Sequence, residues 1–155
     1  MRAAGGLPAC QRREVGHNVI ILISEDDRGH FILIKHALRN AGIDNEIVWL
    51  CDGQETLDFI YTPEGEVKLE DDKRYMLLLD IRMPKIDGID VLEEVKRDHR
   101  LKDIPVVMVT SSDNPDNIRL CGRLGCDGYI VKPLDDSATD LIRRLASSTQ
   151  RIQHT

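Results

Sequence analysis

The chain has 155 residues, with 27 acidic against 21 basic side chains and a net charge of −6. That length suits one domain with a full core and leaves no room for a second of ordinary size. The charge argues against non-specific nucleic-acid binding, which needs a basic stripe, and no apolar run is long enough to span a bilayer.

Met1 to Asn18 carries charge and glycine without a continuous apolar stretch, so it is no secretory signal. Residues 1–17 read as a tail, 18–150 as the single domain and 151–155 as a C-terminal tail. Val19-Ile20-Ile21-Leu22-Ile23 is a short apolar run closed by Glu25-Asp26-Asp27. From Arg28 to Ala41, Phe31, Ile34, Ala37, Leu38 and Ala41 recur at helical spacing, and Gly42 ends the helix. Glu46 to Leu50 reads as a second strand. Leu57, Phe59, Ile60 and Tyr61 are expected on a helix stopped by Pro63 and Gly65, and the polar stretch Thr62 to Arg74 reads as a long loop. Met76 to Leu79 is a third strand, ending directly in Asp80.

Gly88 to Arg97 is helical, with Ile89, Val91, Leu92 and Val95 as its apolar set. Ile104 to Val109 is the fourth strand, closed by Thr110-Ser111-Ser112. Asp113 or Asn114 caps a helix reaching Leu124, with Gly125 just beyond. Gly128 to Val131 is the fifth strand, closed by Lys132-Pro133, and Asp135 or Asp136 caps a last helix with Leu141, Ile142 and Leu145 facing inward. Near-continuous Val/Ile/Leu runs mark strands buried on both faces. Five βα units with right-handed crossovers predict an α/β fold, a doubly wound flavodoxin-like sandwich with a five-stranded parallel sheet. Cys10, Cys51, Cys121 and Cys126 lack zinc-site spacing, so buried or half-buried thiols and a cytoplasmic setting are expected. The five histidines are scattered, without a metal-binding pattern.

In an open parallel sheet, ligands collect outside the carboxyl ends of the strands. Those ends gather Glu25, Asp26, Asp80, Thr110 and Lys132. A carboxylate group this close repels itself without a cation, and Mg²⁺ suits a few carboxylates with water and phosphate oxygens. Asp80 is then a candidate nucleophile toward phosphorus, with the Thr110 hydroxyl and the Lys132 ammonium available to phosphate oxygens. No nucleotide-binding glycine loop is present, so the phosphoryl donor comes from elsewhere.

From about Val19 to Leu145 the sequence resembles the receiver domain of two-component response regulators, the chemotaxis-regulator-like family. The resemblance lies in Glu25-Asp26, Asp80, Met83-Pro84 with Asp87-Gly88, Thr110, and Lys132-Pro133, in that order. It implies strand order 2-1-3-4-5 and Asp80 as phosphoacceptor. It also implies direct Mg²⁺ contacts from Asp26, Asp80 and the Arg82 backbone carbonyl, with Glu25 acting mainly through water. Thr110 and Tyr129 would form the switch that alters the face of helix four, strand five and helix five, and a cis Lys132–Pro133 bond is expected. Arg82 and Ser112 occupy positions that vary in the family and are read as tuning phosphoryl lifetime.

Two local alternatives stand beside this: Asp26 as a helix cap with Asp27 as the ligand, and Tyr129 as plain core. The implied partners are a sensor histidine kinase, of phytochrome type in the subgroup suggested by Leu57 to Tyr61, or a phosphotransfer protein, together with a downstream protein. Neither nucleic acid nor membrane insertion is expected, and homodimerisation is left open. With no output domain after the last helix, a stand-alone receiver is expected, not an enzyme in the ordinary sense. A haloacid-dehalogenase-type phosphatase shares the strand-end Asp, hydroxyl, Lys and Mg²⁺, but wants a second acid where Arg82 stands. A flavodoxin-like flavin carrier would need a hydroxyl- and glycine-rich loop after strand one, and a degenerate scaffold is opposed by the intact set of residues.

Overall fold

Each strand of the sheet is apolar on both sides because each side meets a different layer of helices. The structure, a computed structural model, describes residues 18–149. Its strands are β1 (Val19–Ser24), β2 (Ile47–Leu50), β3 (Arg74–Leu79), β4 (Val106–Thr110) and β5 (Gly128–Val131). They form one parallel sheet in the order β2-β1-β3-β4-β5. The helices are α1 (Arg28–Asn40), α2 (Gly53–Ile60), α3 (Gly88–Arg97), α4 (Pro115–Arg123) and α5 (Asp136–Ser147). This is the doubly wound topology expected from the sequence.

The two-residue period of the strands sorts the core into two halves. Ile20, Leu22, Leu77, Leu79 and Met108 pack with Ile60 of α2, Val91, Leu92 and Val95 of α3, and Cys121 of α4. Val19, Ile21, Ile23, Met76, Leu78 and Val107 pack on the other side with Ile34 and Leu38 of α1 and Ile142 and Ala146 of α5. Leu141 and Leu145 lie partly buried against this second half.

Every helix starts at an Asp or Asn whose side chain accepts a backbone N–H of the first turn, satisfying a donor that would otherwise be orphaned. Asp27 accepts from His30, Asp52 from Glu55, Asp87 from Asp90, Asn114 from Asp116 and Asp135 from Ala138. Asn114 and Asp135 thus settle the two capping choices left open by the sequence. Gly125 follows α4 at φ +99°, as a residue after a helix end must when it turns left-handed.

Several boundaries differ from the sequence reading. α2 ends at Ile60; Tyr61 is extended and forms an antiparallel bridge with Val67. The loop expected from Thr62 to Arg74 is shorter and partly built. Val67 and Leu69 enter the core, Lys68 N–H donates to the Ile60 carbonyl at 2.8 Å, and Arg74 already belongs to β3. β2 starts at Ile47 and β4 at Val106 rather than at Glu46 and Ile104, and α4 stops at Arg123. Cys51 is exposed, not buried, because it lies beyond the last paired residue of β2; Cys121 is buried and Cys126 half-buried. Cys10 and both tails, 1–17 and 151–155, lie outside the described residues.

Candidate functional site

The strand ladder carries past its last paired residues and sets the acids in place. Asp80 N–H donates to the Ser24 carbonyl at 3.0 Å, and Glu25 N–H to the Leu50 carbonyl at 3.0 Å. Across the sheet, Lys132 N–H reaches the Thr110 carbonyl at 2.9 Å. These bonds tie β3 to β1, β1 to β2 and β5 to β4 at their carboxyl ends, and the Lys132–Pro133 bond is cis. Trp49 Nε1 donates to the Glu25 carbonyl at 2.7 Å, and its ring stacks on Phe31 at 4.6 Å between centroids. The backbone bearing the first acid is therefore held from β1, β2 and α1 together.

Lys132 is the centre of the side-chain arrangement. Its Nζ lies 2.5 Å from Glu25 Oε1 and 2.9 Å from Asp80 Oδ2. Glu25 and Asp80 are both buried. Burial pushes the Glu25 carboxyl above its usual range, with the Asp80 charge adding to the effect and the Lys132 bond opposing it. For Lys132, burial works to lower the pKa. The bonds to Glu25 and Asp80 overcome it and leave the ammonium above the usual lysine value. A firmly charged cation sits between two acids.

The second oxygen of Asp80 is less committed, since its contact with Arg82 N–H is 3.4 Å long. Asp26 is exposed and lines the same cleft, of about 330 Å³, with Glu25, Asp80, Arg82, Thr110 and Ser112. Capping of α1 falls to Asp27, whose Oδ1 accepts from His30 N–H at 3.0 Å, so Asp26 is not consumed as the cap. Hard oxygen donors on an open face suit a small divalent cation that keeps several waters. Asp26, Asp80 and the Arg82 loop could hold one.

Thr110 ends β4 buried at the cleft, its Oγ1 accepting from Ser112 N–H at 3.3 Å. Tyr129 is half-buried, and its hydroxyl donates to the Ser112 carbonyl at 2.8 Å. Burial raises the Tyr129 pKa, so the phenol is a neutral donor near pH 7. The structure thus gathers Glu25, Asp26, Asp80, Arg82, Thr110 and Ser112 around one cleft, bonds Lys132 to two of them, and ties Tyr129 to the loop beside it.

One residue escaped the sequence reading. His30 Nδ1 lies 3.0 Å from Lys132 Nζ and 3.8 Å from Glu25 Oε2. Its signal in the sequence is slight: a histidine in the first turn after an acidic strand end.

Residues 21–146 match the family model described as response regulator receiver domain. The chain belongs to the response regulator receiver domain family. Among curated relatives, this receiver is 38 % identical over 129 residues to a probable methanogenesis regulatory protein, FilR2, of Methanothrix harundinacea, covering 83 % of this chain and 81 % of that one. It is 34 % identical over 113 residues to the response regulator Rcp1 of Synechocystis sp. strain PCC 6803, covering 73 % and 76 %.

Among solved structures, a response regulator receiver domain from Rhodospirillum rubrum superposes with TM-score 0.72 at 32 % identity, covering 88 % of this chain and 98 % of that one. The bacteriophytochrome response regulator AtBRR gives TM-score 0.68 at 32 % identity, covering 83 % and 91 %. The Mn²⁺-bound form of Rcp1 gives 0.62 at 30 %, covering 83 % and 89 %. Membership of this family places the chain in two-component signalling and sets aside the phosphatase and flavin-carrier readings. Among the described residues, no helix is long and apolar enough to cross a membrane.

Proposed function

We propose that this receiver accepts a phosphoryl group on Asp80 from a phosphohistidine and converts the added charge into altered affinity for a protein partner. The observation that carries the reading is the Lys132 ammonium, 2.9 Å from Asp80 Oδ2 and 2.5 Å from Glu25 Oε1, two buried acids that line an acidic cleft. In the transfer, an Asp80 carboxylate oxygen forms a bond to phosphorus as the phosphorus–nitrogen bond of the donor breaks, and the freed imidazole takes a proton. Lys132 meets one phosphoryl oxygen as a fixed charge and Thr110 donates its hydroxyl to another. Asp26, Asp80 and the Arg82 backbone carbonyl would hold Mg²⁺, with Glu25 acting through water; the ion supplies neutralisation of the phosphoryl charge.

Readout starts at Thr110. Its hydroxyl shares the turn in which Ser112 accepts from Tyr129, so a shift of Thr110 toward the phosphate disturbs the Tyr129 bond. That couples a local charge event to the face formed by α4, β5 and α5. Ile118 of α4 and Val131 of β5 are large apolar residues exposed on these elements, which suits a protein partner there or a second copy of the chain. Arg82 and Ser112 border the cleft and tune phosphoryl lifetime; an unchanged dephosphorylation rate in Arg82→Ala would remove Arg82 from that role.

The unit acting in this way is residues 18–150, in the cytoplasm. Similarity to a bacteriophytochrome response regulator supports a phytochrome-type sensor kinase as donor, with a phosphotransfer protein as the other source of phosphohistidine. The test is transfer of label from a phosphorylated kinase domain of that type. Loss of label from the kinase histidine with its gain on Asp80 supports the proposal. Binding to a partner with no label gained at Asp80 would instead make the chain a phosphorylation-independent scaffold.

A further inference from the structure

The Lys132 ammonium has no spare donor. Its side chain is 11 % exposed, and three acceptors surround Nζ: Glu25 Oε1 at 2.5 Å, Asp80 Oδ2 at 2.9 Å and His30 Nδ1 at 3.0 Å. An ammonium carries three N–H bonds and accepts none, so all are committed before phosphate arrives, and a phosphoryl oxygen on Asp80 would take over the bond now made to Asp80 Oδ2. Two go to the acids already discussed. The third goes to an imidazole that the proposed chemistry leaves without a task.

We propose that His30 is a positioning residue for Lys132, its Nδ1 accepting the third N–H and so fixing where the other two point. Since Nδ1 accepts, the neutral ring carries its proton on Nε2. An ammonium held by two acceptors on one side can rock about its last carbon–nitrogen bond, whereas a third acceptor removes that freedom. His30 is itself held. Asp27 Oδ1 accepts its backbone N–H at 3.0 Å, and Asp27 N–H donates to Glu25 Oε2 at 3.0 Å. One turn of chain therefore fixes Glu25 and His30 relative to each other, and Lys132 sits between them. The inference rests on the reading of Asp80 as phosphoacceptor and deepens it by naming what aims the ammonium.

A competing use of the same atoms is a metal site. Glu25, His30 and Asp80 each offer a ligand atom, all within 4.8 Å of one another. Lys132 Nζ already stands within hydrogen-bond distance of all three residues. A divalent ion could not share that space without expelling the ammonium, so His30 is the partner of the lysine. Asp80 keeps a second oxygen, Oδ1, in contact with Arg82 N–H at 3.4 Å rather than with Lys132, and Asp26 and Arg82 line the cleft with it.

Two substitutions separate acceptor from filler. His30→Phe keeps a ring of similar bulk and removes the acceptor. His30→Asn loses bulk but places an amide oxygen on Cγ, near the place of Nδ1. An acceptor role predicts that Asn preserves function better than Phe; a shielding role predicts the reverse. The first readout is solvent exchange of the Lys132 ammonium protons by ¹⁵N NMR, and the second is the rate of Asp80 labelling by acetyl phosphate.

In His30→Phe we expect exchange to quicken and labelling to slow by about fivefold each, the worth of one hydrogen bond. His30→Asn should restore most of both. Exchange in His30→Phe equal to wild type, or Phe outperforming Asn, would overturn the proposal. A wild type that takes no label would sink the phosphoacceptor reading instead, while ammonium exchange still reports on the Lys132–His30 bond.

Discussion

Gly88 lies against the backbone of the residue proposed to carry the chemistry. A Cβ built there would sit 1.9 Å from the Asp80 carbonyl oxygen and 2.9 Å from the Ile81 Cα. Both are backbone atoms that cannot swing away. Gly88→Ala must therefore push α3 off the end of β3, at a cost of about 1–3 kcal/mol, and tilt Asp80 in the cleft. Thermal unfolding and acetyl phosphate labelling are both expected to fall; unchanged values for both would contradict this close packing. The Asp87-Gly88 pair stood among the motifs that carry the family resemblance, but the sequence did not reveal the reason for its glycine, which is an approach between distant backbones. Asp80, Thr110 and Lys132 were legible because a parallel sheet delivers its strand ends to one edge. His30 was not, because a helix periodicity says nothing about which first-turn side chain leans over a neighbouring strand end.

The connection between α2 and β3 shows where pattern reading fails at the scale of an element. Leu57, Ile60 and Tyr61 keep a helical spacing, yet Tyr61 leaves the helix to pair with Val67. Tertiary contacts decide the matter. The Tyr61 hydroxyl donates to Asp98 Oδ2 at 2.9 Å, Arg100 holds both Asp98 oxygens at 3.0 and 2.8 Å, and the same guanidinium reaches the Gly65 carbonyl at 3.2 Å. The Arg100 bonds, aided by Tyr61, hold the Asp98 carboxyl at a pKa of about 2, against 3.8 when free. Because the folded value is the lower one, Asp98 stabilises the fold above pH ~4, and that contribution fades as pH falls toward ~2, amounting to about 2 kcal/mol. Asp98→Asn should lower stability at pH 7 and flatten the acid limb of the stability curve between those values. An acid limb identical to wild type in urea titrations would show that the cluster does not hold this connection.

At the scale of the molecule, the fold concentrates negative charge at the edge of the sheet where Glu25, Asp26 and Asp80 meet, with Lys132 beside them. A bound divalent cation would relieve that repulsion in the native state alone, so Mg²⁺ should raise the melting temperature. The expected gain is about 2.7 kcal/mol at a hundredfold excess over the dissociation constant. Asp26→Asn should lose most of this gain, and an equal shift in that variant would place the ion elsewhere. The strand order came from the family resemblance, whereas the doubly wound α/β fold was readable from five apolar runs separated by helical periods, since right-handed crossovers leave few arrangements. Where the Tyr129 ring is anchored was not, because its Ser112 partner is a loop carbonyl that no side-chain pattern reveals.

The central claim, that Asp80 accepts phosphate in a site organised by Lys132 and a divalent cation, is tested most directly by intact mass spectrometry. Wild type and Asp80→Asn are incubated with acetyl phosphate, each with Mg²⁺ and with EDTA. The account predicts a single phosphoryl adduct on wild type with Mg²⁺, lost with EDTA and absent from Asp80→Asn. An adduct that persists in Asp80→Asn, or one indifferent to EDTA, would contradict it.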